Sequence, residues 1–384
     1  MDDKNKIVVT CAKRTNHIVL EEMAALGYKG ESSGNLGVIT QGTMKDCMRL
    51  NMHLRTANRV LYLIKAFEAV KPQELYDQIH QIPWEDFLEP NGYFSINSWV
   101  HNDYIKDTQF ANLKAKDAIV DRMQKVHDMR PDSGPDRHKT VIFMHWKNNA
   151  CQLYFDTSGQ TISKHGYRKV PYKAPLMESL AASIILSSQW DKFSHFINPM
   201  CGSGTLAIEA ALLALNRVPG QYRDNFGFMH IKGYNRSDWN QIRKEANQNA
   251  KRNLPGRIIA SDINGEAIRV AKRNAQTAGV DHLIEFQQCD FKETTVPSGN
   301  GVIILNPEYG ARMGEEKALE QIYTDIGDFF KQRCQGKMGY VFTGNMNLAK
   351  KVGLRTRRRM EFYNGKIDCR LLEYELYEGT KKAR

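Results

Sequence analysis

Short apolar runs alternate with segments of helical periodicity from residue 193 onward, and each apolar run stops at a polar or glycine-rich turn. Four such runs end at Asn198, Asp262, Asp290 and Asn306. Strands that alternate with helices predict an α/β fold with a doubly wound, largely parallel sheet. Ligands of such sheets bind beyond the carboxyl ends of the strands, so these four positions are the first candidates for a functional site.

The first of these turns is rich in small residues. It reads Asn198, Pro199, Met200, Cys201, Gly202, Ser203, Gly204 and Thr205. Glycines between a strand and a helix let the backbone approach a ligand closely, and the helix N-terminus supplies unpaired N–H donors. Such a loop suits the carboxylate of an amino-acid-like cofactor as well as a phosphate. A glycine turn can also be purely structural, so the loop alone leaves both interpretations open.

Two strand-end carboxylates follow the glycine loop. Asp262 could accept both hydroxyl donors of a ribose, or it could be the N-cap of the next helix. Asp290 could accept from an exocyclic amine while Phe291 packs on a ring, or it could be a solvated loop acid. The combination of a glycine loop with two strand-end acids is more specific than any one of these features.

The fourth turn reads Asn306, Pro307, Glu308 and Tyr309. The side-chain oxygen of Asn306 and the carbonyl of Pro307 could accept from an amine, and Tyr309 could stack on a flat base. Read by itself, the same run is ordinary turn chemistry. Together with the strand series, it predicts a site that holds an exocyclic amine in line with a methyl donor.

The N-terminal half mixes strands and helices and predicts a small α+β module. We expect strands at 6–10, 36–40 and 93–100, helices at 17–26, 46–54, 71–79 and 113–126, and a hairpin formed by 140–146 and 150–156. Prolines at 171 and 175 then precede an apolar helix at 176–186, so a domain boundary is expected near residue 165.

Charge and cysteine content limit the class of protein. Fifty-four Lys and Arg against 43 Asp and Glu give a net charge of +11, which favours an anionic partner such as nucleic acid. Arg355, Arg357 and Arg358 lie in a basic run that could contact an RNA backbone or form a solvated face. Seven scattered cysteines favour a reduced, cytoplasmic compartment over a disulfide framework, and we expect no bound metal. No secretory signal or membrane-spanning run is expected.

The motifs as a set resemble the bacterial class I S-adenosylmethionine-dependent RNA methyltransferases that carry a THUMP domain. The similarity is greatest to the guanine-N2 methyltransferase portion of the bifunctional 23S rRNA enzymes. It rests on the glycine loop, the Asn306 turn, and three further runs at 165–168, 174–176 and 364–371. The resemblance implies a ferredoxin-like lead-in at 1–65, a THUMP-type RNA-binding domain at 66–165 and a Rossmann-like methyltransferase domain at 166–384.

The resemblance also implies a role for each candidate residue. Cofactor contacts would come from Asn198, Pro199, Cys201, Gly202, Ser203, Gly204, Thr205, Asp262, Ile263, Asp290, Phe291 and Asn306. Asn306, Pro307 and Tyr309 would form the catalytic turn. RNA would be contacted by Glu308, Tyr309, Arg355, Arg357 and Arg358. The implied reaction is methylation of the exocyclic N2 of a guanosine in 23S rRNA, with large-subunit rRNA or an assembly intermediate as partner.

One position departs from the family pattern, because Glu308 stands where the family usually has a second proline. Glu308 therefore either points away from the base or accepts from guanine N1–H. Three alternatives stay open at this point: a tRNA guanine-N2 methyltransferase, a DNA amino-methyltransferase, and a noncatalytic RNA-binding assembly factor.

Overall fold

The computed structural model describes residues 3–34, 37–105, 107–170, 172, 175–310 and 316–377. The chain divides into two compact units, each assembled from three separate stretches of sequence. Unit 1 comprises Met1–Cys11, Val19–Ile162 and Arg223–Glu245. Unit 2 comprises Ala12–Ile18, Ser163–Tyr222 and Ala246–Arg384.

The first 162 residues supply eight strands and four helices to the described structure. In chain order they are β1 (Asn5–Cys11), α1 (Asn16–Ala25), β2 (Glu31–Ser32), β3 (Gly37–Gly42), α2 (Met44–His53), β4 (Ala57–Glu68), α3 (Pro72–His80), β5 (Tyr93–His101), α4 (Thr108–His127), β6 (Asp132–Ser133), β7 (Thr140–Lys147) and β8 (Ala150–Asp156). All eight strands form one sheet in the order β2-β3-β1-β4-β8-β7-β5-β6.

Local signals in the sequence explain several of these boundaries. Thr43 and Asp46 form a reciprocal capping box that starts α2. Asp107 caps α4, which begins five residues before the predicted helix at 113–126. Asn148 takes a φ of 54° in the β7–β8 turn, a backbone conformation that asparagine tolerates. The strand predicted at 36–40 is β3, although Leu36 lies outside the described residues.

The longest strand of this sheet was missed by the sequence analysis. β4 has twelve residues, and it pairs antiparallel with β1 on one side and β8 on the other. Its register shifts between Leu63 and Lys65, so the period-2 pattern of apolar residues is broken within the strand. The sheet therefore runs without interruption across residue 65, where the ferredoxin-like and THUMP-type regions were expected to meet.

Seven strands and six helices follow in the described part of residues 163–377. They are α5 (Glu178–Ser187), β9 (His195–Pro199), α6 (Thr205–Ala214), α7 (Arg236–Gln248), β10 (Ile258–Asp262), α8 (Gly265–Ala278), β11 (Ile284–Gln288), β12 (Gly301–Leu305), α9 (Glu316–Arg333), β13 (Lys337–Thr343), α10 (Met346–Lys351), β14 (Arg358–Asn364) and β15 (Ile367–Leu376). The sheet order is β11-β10-β9-β12-β13-β15-β14.

This second sheet confirms the predicted α/β fold. The pairs from β11 to β13 are parallel, and β15 is antiparallel to both of its neighbours. Adjacent residues of the central strands enter different core layers, as the period of two requires. Phe196 and Ile258 pack in the layer that contains α6, whereas Ile197 and Ile259 pack in the layer that contains Phe330 of α9.

Arg223–Glu245 belongs to unit 1 although it lies inside the sequence range expected for the methyltransferase domain. The Phe228 N–H donates to the Thr157 carbonyl at 3.0 Å, and the Thr140 hydroxyl donates to the His230 carbonyl at 2.7 Å. A side chain at Gly227 would collide with the carbonyl oxygen of Asp156. Backbone pairing and close packing therefore attach this stretch to the end of the sheet.

All seven cysteines are free, as expected from their scattered positions. Within the described ranges, no helix combines the length and apolarity needed to cross a membrane.

Candidate active site

The carboxyl ends of four parallel strands meet at one edge of the second sheet. β11, β10, β9 and β12 are neighbours in that order, and each is parallel to the next. The chain runs outward from β9 to β11 on one side and returns to β12 on the other, so β9 and β12 flank the switch point. The fold thereby brings the glycine loop, Asp262, Asp290 and Asn306 to a common edge.

Two backbone N–H groups of the glycine loop donate hydrogen bonds to the neighbouring strand β10. The Cys201 N–H donates to the Ser261 carbonyl at 2.9 Å, and the Gly202 N–H donates to the Asp262 carboxylate at 2.9 Å. A Cβ on Gly204 would lie 2.9 Å from the Cβ of Ala271, whereas a Cβ on Gly202 would meet no described atom within 4 Å. Gly204 is therefore needed for helix packing, and Gly202 leaves open space beside the loop.

Both glycines have backbone angles in the left-handed region, with φ of 54° at Gly202 and 80° at Gly204. Gly204 is also the N-cap of α6, so the first N–H groups of this helix lie at the end of the loop. The other loop residues are enclosed: Asn198, Pro199, Cys201, Ser203 and Thr205 are all buried. The loop thus presents backbone, more than side chains, toward the open space.

Two asparagine side chains leave buried oxygens without a donor. The Asn198 amide donates to the Ile304 carbonyl at 2.9 Å, which joins β9 to β12. The Oδ1 atoms of Asn198 and Asn306 are buried, and the described residues offer neither of them a hydrogen-bond partner. A buried carbonyl oxygen without a donor costs about 1–3 kcal/mol, so a ligand N–H at this point would be stabilised.

The structure rules out one interpretation of Asp262 and gives Asp290 local contacts with Lys292. Asp262 accepts from the Asn264 N–H at 2.9 Å and from Gly202, and Asn264 is the N-cap of α8. The N-cap interpretation of Asp262 is therefore wrong. Asp290 accepts from the Lys292 N–H at 2.9 Å, and the Lys292 ammonium lies 3.9 Å from its carboxylate.

The residues that follow these acids differ in exposure. Phe291 was expected to pack on a ligand ring, but it is only 8% exposed and lies edge-on to Phe329 in the core, with ring centroids 5.9 Å apart. This expectation is corrected, because the core of the sheet already covers nearly all of the ring. Ile263, by contrast, is 71% exposed at the same edge, so it is the apolar side chain that remains open there.

The turn after β12 holds the proposed catalytic residues. Pro307 is buried, the Glu308 side chain is exposed, and Tyr309 is half-buried. The Tyr309 ring lies edge-on to Phe342 at 6.4 Å, and its hydroxyl accepts from the Asn364 amide at 2.8 Å. Burial raises the pKa of Tyr309 to about 12, so its hydroxyl stays neutral at physiological pH. The sequence patterns gave Asn364 no role in the site, although it lies in the 364–371 run that carried the resemblance.

The basic run near the C-terminus is largely committed to an internal acid. Arg358 donates through Nε to both carboxylate oxygens of Glu373 at 3.0 Å, and Glu373 is fully buried. Arg357 donates its N–H to the Glu373 carbonyl at 2.7 Å, and its Nε lies 3.8 Å from the carboxylate. The assignment of Arg358 to RNA is thus corrected, since a buried carboxylate needs its charge. Arg355 is exposed, and the described residues form no hydrogen bond or ion pair with its side chain.

A buried polar network contacts the end of the glycine loop at Thr205. His165 Nδ1 lies 2.7 Å from Glu209 Oε1, and both side chains are fully buried. Arg168 donates to the Thr205 hydroxyl at 2.9 Å and lies 3.6 Å from the Glu178 carboxylate. These residues lie in the 165–168 run that carried part of the resemblance, whereas Ala174 of the next run lies outside the described residues.

The arrangement can bind a ligand with three kinds of polar group. The N-terminus of α6 and the open side of Gly202 suit a carboxylate, because unpaired backbone N–H groups favour anions. The Asp262 carboxylate suits a pair of hydroxyls, and Asn306 Oδ1 suits an amine. No cluster of His, Cys, Asp and Glu that could hold a metal ion occurs among the residues that the structure describes.

Three families of known proteins match this chain in order. The RlmL ferredoxin-like domain matches residues 6–61, the THUMP domain matches 71–156, and the RMKL-like methyltransferase domain matches 165–373. The last of these covers more than half of the chain. The resemblance drawn from the motifs is therefore confirmed.

Individual relatives agree with these matches. The ribosomal RNA large subunit methyltransferase K/L of Syntrophotalea carbinolica is 33% identical over 98% of this chain, which spans 54% of that relative. The protein slr0064 of Synechocystis sp., named as an RNA methyltransferase, is 34% identical over 96% of each chain. The crystal structure of SMU.472 complexed with SAH covers the whole chain with a TM-score of 0.89 and 26% identity. This chain belongs to the RMKL-like methyltransferase family, with ferredoxin-like and THUMP domains in its N-terminal half.

Proposed function

We propose that this chain transfers a methyl group from S-adenosylmethionine to the exocyclic N2 of a guanosine in 23S rRNA. The observation that carries the proposal is the buried, unpartnered Oδ1 of Asn306 at the sheet edge, beside the glycine loop. Family membership, the SAH complex of SMU.472 and the K/L name of the Syntrophotalea relative support the donor and the RNA class. The chain spans about half the length of that relative, so the substrate of the whole relative enters only as part of this proposal.

The residues at the edge fit the proposed donor. The N-terminus of α6, beside the open space that Gly202 leaves, would bind the carboxylate of its methionine portion, and Asp262 would bind the ribose hydroxyls. Ile263 offers an exposed apolar surface for a ring, and Asp290 a carboxylate for an amine. S-adenosylmethionine, when bound, supplies an electrophilic methyl group on a sulfonium centre.

The chain's own residues would act by orientation. Guanine N2 is a weak nucleophile because its lone pair is delocalised into the ring. The Asn306 oxygen and the Pro307 carbonyl would accept hydrogen bonds from the amine, which holds it in line and raises electron density on nitrogen. Tyr309, fixed by Phe342 and Asn364, would orient the base. No general base is assigned, in agreement with the raised pKa of Tyr309, because a hydroxyl that stays protonated is a poor proton acceptor.

The test is methyl transfer from labelled S-adenosylmethionine to rRNA isolated from a strain that lacks this protein, followed by nucleoside mass spectrometry. We expect N2-methylguanosine with the unchanged chain. Asn306→Ala should lower the rate by about 10²–10³-fold, the usual effect of losing one oriented polar group. Asp262→Asn should instead weaken donor binding in calorimetry. A different methylated nucleoside would overturn the base assignment.

The same methyl-transfer assay, with tRNA or DNA in place of rRNA, separates the remaining alternatives. Methylation of tRNA but not of rRNA would move the substrate to tRNA, and methylation of DNA would exclude an RNA-specific enzyme. Absence of both donor binding and methyl transfer would favour the noncatalytic RNA-binding factor. The proposal also includes a cytoplasmic location, where rRNA and its assembly intermediates are found in bacteria.

A further inference from the structure

An aromatic patch lies on one face of the first sheet. Trp99 of β5 pairs across the sheet with His145 of β7, so the two side chains share a face. Their rings are stacked, with centroids 4.8 Å apart and planes 9° apart, and the His101 ring lies 6.0 Å from Trp99. Trp99 is 46% exposed, whereas the other four tryptophans are at most 7% exposed. We call Trp99, His101 and His145 the aromatic platform.

Cationic groups surround the aromatic platform. Lys147 pairs with His101 and therefore lies on the same face. Arg137 donates to Asn97, which lies two residues before Trp99 and on the same side of β5. Lys6 donates to Gln152 at 3.4 Å, and Gln152 pairs with His145.

Charge at the platform is predominantly positive. Burial lowers the pKa of His145, and the nearby charges of Lys147 and Lys6 lower it further. Glu68 lies on the same face, because it pairs with Ala150, which in turn pairs with Lys147. It is the one acidic residue in this line of cross-strand neighbours. An exposed, flat aromatic surface bordered by three cations is complementary to an unpaired nucleotide, whose base stacks and whose phosphates are anionic.

We propose that the aromatic platform binds an unpaired nucleotide of the RNA substrate. The base stacks on Trp99, and Lys147 and Arg137 contact the flanking phosphates. This inference rests on the proposed function for RNA as the substrate class, but it concerns a surface of unit 1 whose residues have no part in the methyl-transfer site. A protein partner is disfavoured, because a protein docking face is usually depleted of charged residues at its centre.

The first test uses the full-length chain and a single-stranded RNA decamer. Because Trp99 is the exposed tryptophan, RNA binding should quench the part of the tryptophan emission that acrylamide also quenches. Trp99→Ala should remove this quenching and weaken decamer binding about tenfold, within the range measured for loss of one stacked base. Phe110→Ala is the matched control, since Phe110 is a 44% exposed aromatic side chain of α4 and is not a member of the platform. Equal affinities of the two variants would overturn the proposal.

A second measurement covers the phosphate contacts and the competing occupant. The double variant Arg137→Gln with Lys147→Gln should lower the slope of log affinity against log salt by about 1.4, or roughly 0.7 per lost contact on a single strand. An unchanged slope would contradict these contacts. If light scattering instead shows a dimer that dissociates in the Trp99→Ala variant, that result would assign the platform to contact with a second copy of this chain.

Decamer binding and methyl transfer can fail independently. Quenching and a tenfold effect of Trp99→Ala, without any methylated nucleoside, would retain the platform and overturn the proposed reaction. Methylation by the unchanged chain, with Trp99→Ala and Phe110→Ala showing the same KM for rRNA, would retain the reaction and overturn the platform.

Discussion

The side-chain amide of Asn364 donates a 2.8 Å hydrogen bond to the hydroxyl oxygen of Tyr309. This contact connects the last residue of β14 to the turn after β12, two elements that are far apart in sequence. The Cys369 thiol lies 3.8 Å from the same hydroxyl, and Phe342 holds the ring at its edge. The orientation of Tyr309 is therefore set by the terminal strand pair and not by its own turn alone.

Removal of either partner of this hydrogen bond should have the same consequence. We expect Asn364→Ala and Tyr309→Phe each to lower the methyl-transfer rate several-fold, because a neutral hydrogen bond contributes about 1 kcal/mol. The double variant should be no slower than either single variant, since both remove one interaction. Single-turnover kinetics with saturating donor would check this. Additive losses would show that the two residues act separately.

Arg358 and Arg355 form a matched pair for testing the basic run. Arg358→Ala should lower the free energy of unfolding by about 2 kcal/mol, because it leaves the buried Glu373 carboxylate without its main counter-charge while the guanidinium itself is partly screened by water. Arg355→Ala should change stability by less than about 0.5 kcal/mol. Urea unfolding measures both.

The same pair should behave in the opposite way toward RNA. Arg355→Ala should lower the salt dependence of RNA binding by about one contact, and Arg358→Ala should leave that dependence as it is. Arg358→Ala could instead weaken RNA binding more strongly than Arg355→Ala in correctly folded protein. That result would show that Arg358 contacts RNA in addition to its ion pair with Glu373.

The exposed side chain of Glu308 gives a charge-based prediction. Glu308→Gln should lower the KM for rRNA by about two- to threefold at low salt, because one negative charge near the RNA is removed, and the difference should disappear as salt is raised. The measurement is initial rate against RNA concentration at two ionic strengths. A loss of kcat greater than about tenfold would instead favour acceptance of a hydrogen bond from guanine N1–H.

His53 at the end of α2 predicts a pH dependence of stability in unit 1. Burial, with the nearby charges of Arg49 and Arg55, lowers the pKa of His53 to about 4. A histidine with a lowered pKa stabilises the fold fully above its unfolded pKa of about 6.5, and this stability is lost as the pH falls toward 4. The loss should reach at most about 3 kcal/mol.

A substitution isolates this contribution. His53→Gln should unfold with a weaker dependence on pH between 6.5 and 4 than the unchanged chain, as followed by urea unfolding. His127→Gln, at an exposed position of α4, serves as the control and should keep the original dependence. Identical pH profiles for all three proteins would contradict the assignment to His53.

The sequence patterns located the elements that carry local signals. The turn at 198–205 and the strand ends at Asp262 and Asn306 were found because apolar runs stop there abruptly. β4 was missed because its bulge interrupts the alternation, and α7 was missed because it lies in a largely polar stretch.

Interactions between distant residues were beyond the sequence patterns. Arg358 reads as part of a basic run, and only the pairing of β14 with β15 shows that it lies opposite Glu373. Phe291 follows a strand-end acid in the sequence, yet its side chain turns toward α9 and enters the core. Spacing along the chain does not encode where either side chain points. That depends on which strand or helix packs beside it in the fold.

The division of each unit into separate stretches has a consequence for synthesis. The chain passes from one unit to the other after Cys11, Ile18, Ile162, Tyr222 and Glu245. When Ile162 has been made, unit 1 still lacks Arg223–Glu245, and with it the hydrogen bonds to Thr140 and Thr157 at the end of its sheet. By the time that stretch is available, Ser163–Tyr222 of unit 2 has already been made. Unit 1 therefore reaches its full set of contacts only after synthesis of unit 2 is well under way.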